Sequence, residues 1–355
     1  MTTSYSNYDY VDLPEKERLE YERIFFLRNF FSKPDLFQNE LKQAEQSMAF
    51  ALPALEFGYS EIETYEVGEL TWQKLAQIYA EDIRPIVIKG FASSFPCGKL
   101  WTPEYFRDNF GDFQLWYSTT EKLFEEDGTS LRNYINAVLN GDVSRAYLEN
   151  LSDIFNEYPI LHQQIGIDRI DNFLGDFASY HKIAQLFIGG PGTGAVYHCA
   201  NELNCFLNIY GRKEWIFVHP KYSAAMYSSM FNKGIFVGSF VKHNAPVRYL
   251  EEHQPLYNRI PKLRITLEPG DMLINPPWWW HAINNQPPVS IAIASRWKIE
   301  MPYQHQNPLY EFVQSQRVER LTLEGKKMSE NDVVVPDSEL RKKYVSYKEM
   351  GWVGN

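Results

Sequence analysis

Cysteine is scarce: the chain of 355 residues holds three, Cys97, Cys199 and Cys205. Three thiols cannot build a disulfide framework, and no Cys-x-x-Cys pair offers a structural zinc site. No apolar run approaches the roughly 18 residues that a membrane span needs, so no membrane partner is expected. Basic residues are also in the minority, 35 against 45 acidic, for a net charge of −10. A protein that tracks a phosphate backbone carries the opposite balance, which disfavours nucleic acid as a partner. Residues Met1 to Pro14 are polar and acidic without an apolar h-region, so no secretory leader is read there and a cytoplasmic location is expected. No internal repeat or low-complexity tract is present.

Aromatic residues, by contrast, are abundant: 9 Trp, 23 Tyr and 23 Phe make up 15% of the chain. That content favours strands and aromatic-lined pockets over a plain helical bundle. From Leu13 to about Met48 the pattern is helical, broken at Lys33-Pro34. Thr71 reads as the N-cap of a helix running to Ala80, and Pro85-Ile86-Val87-Ile88 as a buried strand ending at Gly90. Thr102-Pro103-Glu104 starts another helix, with proline at the first helical position. Residues from about 128 to 175 read as helical and polar, interrupted by Gly141 and Pro159.

Beyond Ala184 short strand-like runs follow one another: Ala184–Ile188, Ala195–Ile209, Trp215–Val218, Arg264–Leu267, Asp271–Ile274 and Val289–Trp297. Such spacing predicts an antiparallel sandwich or barrel. The expected organisation is an N-terminal helical segment over 1–61, a jelly-roll domain over 62–306 with a helical insertion at about 128–175, and a C-terminal helical segment over 307–355. The fold class is mainly β with flanking α. Gly190-Pro191-Gly192-Thr193-Gly194 joins two strands with no helix after it, so it reads as a turn rather than a phosphate loop.

Two segments concentrate chemistry. One is Tyr197-His198-Cys199-Ala200-Asn201-Glu202-Leu203-Asn204, followed by Gly211-Arg212-Lys213-Glu214-Trp215. The other is Pro269-Gly270-Asp271 and, after it, Pro276-Pro277-Trp278-Trp279-Trp280-His281. Each places a histidine at a strand edge beside a turn, and neutral imidazoles are good ligands for iron, copper or zinc. The remaining histidines read as ordinary core or surface residues.

Taken in order, these motifs resemble the JmjC-type cupins, the iron(II)- and 2-oxoglutarate-dependent oxygenases, and among them the asparaginyl hydroxylase that inhibits hypoxia-inducible factor. The resemblance runs from about Ile62 to Trp297. It implies a double-stranded β-helix, with His198 and His281 as metal ligands and Lys213 gripping the far carboxylate of 2-oxoglutarate. Asn204, Ser295 and Trp297 would line the co-substrate pocket. Ala195 replaces a threonine that anchors the co-substrate in that hydroxylase.

The family motif His-x-Asp is His198-Cys199-Ala200 in this chain. A facial triad needs an acid at position 200, and alanine cannot ligate. Alternation puts His198, Ala200, Glu202, Asn204 and Phe206 on one face, with Glu202 about 13 Å further along an extended strand. Halogenases of the iron/2-oxoglutarate class carry Ala or Gly at this position, with chloride on iron in place of the carboxylate. The resemblance therefore implies C–H functionalisation with Ala200 opening a halide position. Alternatives are hydroxylation with an unusual metal shell, a copper or zinc enzyme without 2-oxoglutarate, and a non-catalytic cupin-like binding protein. A small molecule, an amino acid or a peptide- or carrier-bound group would be the substrate, and a homodimer through the C-terminal helices is expected.

Overall fold

The computed structural model describes residues 11–31, 33, 35–52, 59–115, 129–142, 147–228 and 236–299. The chain opens with two helices, α1 (Glu15–Phe31) and α2 (Gln38–Ala51), then short strands β1 (Tyr59–Glu61) and β2 (Glu63–Glu66). Helix α3 (Trp72–Glu81) starts where expected, because Thr71 Oγ1 accepts from the Lys74 amide at 3.3 Å. Next come β3 (Ile86–Lys89), α4 (Pro96–Leu100), α5 (Pro103–Asn109), β4 (Gln114–Leu115), β5 (Thr129–Ser130) and α6 (Leu131–Leu139). A strand, β6 (Leu148–Leu151), precedes α7 (Asp153–Glu157), α8 (Pro159–Gln164) and α9 (Ile167–Leu174). The region from 128 to 175 thus contains two short strands, β5 and β6. Its helices are amphipathic rather than polar, burying Leu131, Tyr134, Ile135, Leu161, Ile170 and Leu174.

The β-rich half comprises β7 (Ala178–Gly189), β8 (Gly194–Ala200), β9 (Leu203–Tyr210), β10 (Lys213–Val218) and β11 (Phe236–Gly238). After helices α10 (Val247–His253) and α11 (Pro255–Asn258) come β12 (Lys262–Leu267), β13 (Met272–Asn275), β14 (Trp280–Asn285) and β15 (Ser290–Ile299). The expected strand Ala195–Ile209 is therefore two strands. A turn at Asn201-Glu202 carries the chain from one sheet to the other.

One sheet runs β1-β12-β10-β14-β8-β11 and the other β2-β3-β13-β9-β15-β7-β6. Strict alternation sorts their side chains into three cores. Between the sheets lie Val87, Phe206, Trp215, Phe217, Leu263, Leu273, Ile283, Ala292 and Ala294. On the outer face of the second sheet, Leu203, Cys205, Leu207, Ile274, Ile293 and Trp297 pack against α3–α9. On the outer face of the first, Tyr197, Cys199, Ile216, Val218, Trp280 and Ala282 meet α1, α2, α10 and α11. Two sheets face to face under helices on both sides form a jelly roll of cupin type. The expected C-terminal helical segment, and the dimer contact expected through it, fall outside the described residues. Among the described residues no helix is long and apolar enough to cross a membrane.

Two backbone details fix the turns that precede β10 and β13. Gly211, at the β9–β10 turn, has φ +68°, and a Cβ there would come within 2.0 Å of the Val289 carbonyl oxygen. Asp271, before β13, accepts from Lys89 Nζ at 2.8 Å and from the amides of Gly90 and Glu268 at 3.1 and 2.9 Å. That carboxylate therefore ties the Pro269-Gly270-Asp271 turn to the end of β3.

Candidate active site

His198 on β8 is the direct cross-strand partner of His281 on β14. Their rings meet at 4.2 Å between centroids, tilted by 60°. Each Nδ1 lies 2.8 Å from the carbonyl oxygen two residues back, Val196 for His198 and Trp279 for His281. A carbonyl can only accept, so both Nδ1 atoms carry the proton and both Nε2 atoms carry the lone pair. Trp215 stacks on His281 at 5.3 Å and 24°, fixing the ring plane.

Burial pushes His198 down to about 4, against the weaker opposing pull of the Val196 carbonyl. Burial, and then the neighbouring His198, hold His281 well below its ordinary value. Both imidazoles are neutral at physiological pH, the form that ligates. The run Trp278–Trp280 is buried core: Trp279 Nε1 donates to the Ile83 carbonyl at 2.8 Å and Trp280 Nε1 to Ser223 Oγ at 2.9 Å.

The two rings open into a small cavity of about 50 Å³, whose other walls include Glu149, Phe187, Asn204, Phe206, Trp215 and Arg296. Ala200 ends β8, and its carbonyl accepts from the Trp278 amide at 2.7 Å. Glu202 does not replace the missing acid. It sits on the sheet-crossing turn, where Lys182 engages its carboxylate. Among the described residues no group of three or more His, Cys, Asp or Glu side chains is placed to hold a metal ion. The donor set fits a metal through two nitrogens and leaves the third protein position without an acid.

Lys213 is fully buried on β10, on the same inner face as Trp215 and Phe217. It lies beyond the cavity wall rather than in it. Its Nζ donates to Tyr147 Oη at 3.1 Å and to Asn285 Oδ1. The ammonium lies 4.8 Å from the Tyr147 ring centroid. No carboxylate offsets its charge, and burial alone drives its pKa well below the ordinary lysine value. Two of its N–H groups are engaged by these oxygens.

Sequence reasoning also assigned Ser295 and Trp297 to the pocket, and the structure places both elsewhere. β15 alternates, so Ala292, Ala294 and Arg296 face inward while Ser295 and Trp297 face the helical layer, where Trp297 Nε1 donates to Ser295 Oγ at 2.9 Å. Arg296, unassigned from the sequence, takes the cavity position instead. Tyr147 and Asn285 were also missed. Asn285 was legible as His281 plus four on one strand face; Tyr147 reaches Lys213 across 66 residues and carried no local signal.

A double-stranded β-helix with two facing imidazoles at its mouth defines a cupin. The chain belongs to the cupin-like domain family, which it matches over residues 72–302. It is similar to HSPB1-associated protein 1 homolog of Danio rerio, 29% identical over 154 residues, covering 35% of this chain and 34% of that protein. It is also similar to Jumonji C domain-containing protein 5 of Drosophila melanogaster, 23% identical over 146 residues, 41% of this chain and 35% of that protein. Lysine-specific demethylase 8 of Xenopus tropicalis is 25% identical over 211 residues, 56% of this chain and 45% of that protein. The chain thus spans about a third to under half of the length of these curated relatives.

Proposed function

We propose that the chain is an iron(II)- and 2-oxoglutarate-dependent oxidoreductase acting on an unactivated C–H bond, with an anion from solution, a halide in the sharpest version, filling the place that Ala200 would leave open. The observation that carries this reading is the facing pair His198 and His281, each with its tautomer set by its own strand. The Jumonji C and lysine-specific demethylase names of the relatives support the reaction class. Bound iron with 2-oxoglutarate supplies the oxidising power for the C–H bond.

The chain's own residues do the rest. His198 and His281 hold the metal. Lys213 pairs with the far carboxylate of the co-substrate, oriented by Tyr147 and Asn285. Asn204 offers a polar contact on the cavity wall, and Phe187, Phe206 and Trp215 exclude water. Ser295 and Trp297 act from behind β15 as packing that holds Arg296 inward.

Anaerobic titration with iron(II) and 2-oxoglutarate should give a weak visible charge-transfer band in the wild type and none in His281→Ala. Absence of any band in the wild type, with no succinate formed, would leave the second reading, a cupin that binds a small molecule without turnover. The missing acid and the positive Arg296 beside the imidazoles favour that alternative. Turnover with and without chloride or bromide separates the remaining cases: products that gain only oxygen at every halide concentration would discard halogenation and leave hydroxylation. The substrate class proposed is a small molecule, an amino acid or a carrier- or peptide-bound group.

A further inference from the structure

Arg296 has no place in the chemistry described so far, yet its side chain enters the cavity beside both imidazoles. It is half-buried, and its Nε donates to Gln185 Oε1 at 2.7 Å, which tethers one edge of the guanidinium. Among the described residues no carboxylate forms an ion pair with it, although Glu149 also lines the cavity. Glu202 attracts it from further away, but that carboxylate is engaged by Lys182. A guanidinium presents five donors in a planar fork, so the tether leaves the other edge for a planar anion.

The surrounding wall is also unsatisfied. Asn204, the cross-strand partner of Arg296, has a buried Oδ1 with no hydrogen-bond partner. Trp215 Nε1, on the facing sheet, is buried and unpartnered as well. Buried polar atoms are nearly always paired, so orphans lining one cavity mark the place of a bound molecule. Phe187, Phe206 and Ile283 supply apolar surface next to them.

We infer that this cavity is a receptor for a small carboxylic acid with an apolar body, Arg296 clasping the carboxylate while the aromatic wall takes the rest. This deepens the oxidoreductase reading by naming the substrate class at the same site, but the binding step needs no metal. It therefore stands or falls apart from turnover.

The test uses the full chain freed of metal with EDTA, in buffer without halide. Benzoate and its uncharged isostere benzamide are titrated by calorimetry into the wild type, Arg296→Gln, Arg296→Lys and His281→Ala. Charge-assisted bidentate bonds predict at least tenfold tighter binding of benzoate than benzamide to the wild type. That preference should vanish in Arg296→Gln, survive in part in Arg296→Lys and persist in His281→Ala. Equal affinity of the wild type for the two isosteres would overturn the inference without reference to any variant. So would bromide binding with no benzoate binding up to 100 times its concentration, or a preference unchanged in a folded Arg296→Gln. A missing charge-transfer band in the experiment above would leave these outcomes untouched.

Discussion

Lys213→Met separates what this lysine does for the fold from what it does for a ligand. The ammonium is fully buried and meets only neutral oxygens, Tyr147 Oη and Asn285 Oδ1. Removing it does not orphan Asn285, whose Oδ1 also accepts from Ser290 Oγ at 2.9 Å and whose Nδ2 donates to Thr193 Oγ1 at 2.8 Å. Methionine fills a similar volume without a charge to desolvate. Replacing a buried charge by a packed apolar side chain is neutral or stabilising by about 1–4 kcal/mol. We expect the ligand-free variant to be more stable than the wild type by about 1–3 kcal/mol at pH 7, a rise of several degrees in Tm. The pH dependence adds a second readout. The folded-state pKa lies well below 10.5, so between that value and 10.5 the unfolded chain binds more protons than the folded one. Stability then rises with pH across this window, is complete above 10.5, and falls as pH drops toward the folded value. Lys213→Met should lose that component. Calorimetric melting at pH 7 and 9.5 measures both effects, and 2-oxoglutarate consumption by the variant should be abolished. A variant destabilised by more than about 1 kcal/mol at pH 7, or one with the wild-type slope against pH, would refute the assignment of an uncompensated buried ammonium.

Three further substitutions probe the scaffold and the metal position. Ala200→Asp restores an acid on the face shared with His198, and metal retained after dialysis should rise by roughly tenfold or more while halide incorporation falls; unchanged metal content by elemental analysis would mean that position 200 does not face the ion. Asp271→Asn removes the charge that holds Lys89 and weakens acceptance from two amides, at an expected cost of about 2–3 kcal/mol in urea unfolding. Gly211→Ala combines a left-handed backbone with a 2.0 Å approach to the Val289 carbonyl, so a loss of about 2–4 kcal/mol is expected, and a loss under 0.5 kcal/mol would show that the β9–β10 turn relaxes freely.

Much of the fold was readable because its signals are local. Trp215–Val218, Arg264–Leu267 and Asp271–Ile274 differ from β10, β12 and β13 by only one or two residues at either end, since apolar runs there stop at turn residues. Thr71 and Thr102 cap helices as their position demands. The failures share one cause: face and sheet membership are not local. Asn201-Glu202 interrupts an apolar run too briefly to announce a sheet change, so Glu202 read as part of a continuing strand when it turns toward Lys182. Ser295 and Trp297 were placed by motif order, but alternation along β15 puts Ala292, Ala294 and Arg296 on the pocket face and leaves Ser295 and Trp297 on the helical face. The histidine pair was legible because each lies in a distinctive segment. Arg296, the middle residue of Ser295-Arg296-Trp297, was not, because motif order gave roles only to its two neighbours.

Ala200 and Arg296 act in the same electrostatic direction. Alanine in place of an acid removes one negative charge from beside the two neutral imidazoles, and Arg296 adds a positive charge there, with Glu149 elsewhere on the cavity wall. Arg296 already bears on both histidines, disfavouring their protonated forms. A cation arriving alone meets the same repulsion and finds one protein ligand missing. An anion beside Arg296 cancels the repulsion and, if it is a halide or carboxylate, supplies a donor as well. Metal and anion affinities must then be coupled, and by linkage each raises the other by the same factor. Iron(II) affinity measured by competition with a chromophoric chelator should therefore increase with benzoate or chloride concentration in the wild type and respond much less in Arg296→Gln. Low metal content in an anion-poor buffer would accordingly say little against an enzyme. An iron affinity that stays flat over a hundredfold range of both anions would break the coupling and favour the reading of a cupin that binds without turnover.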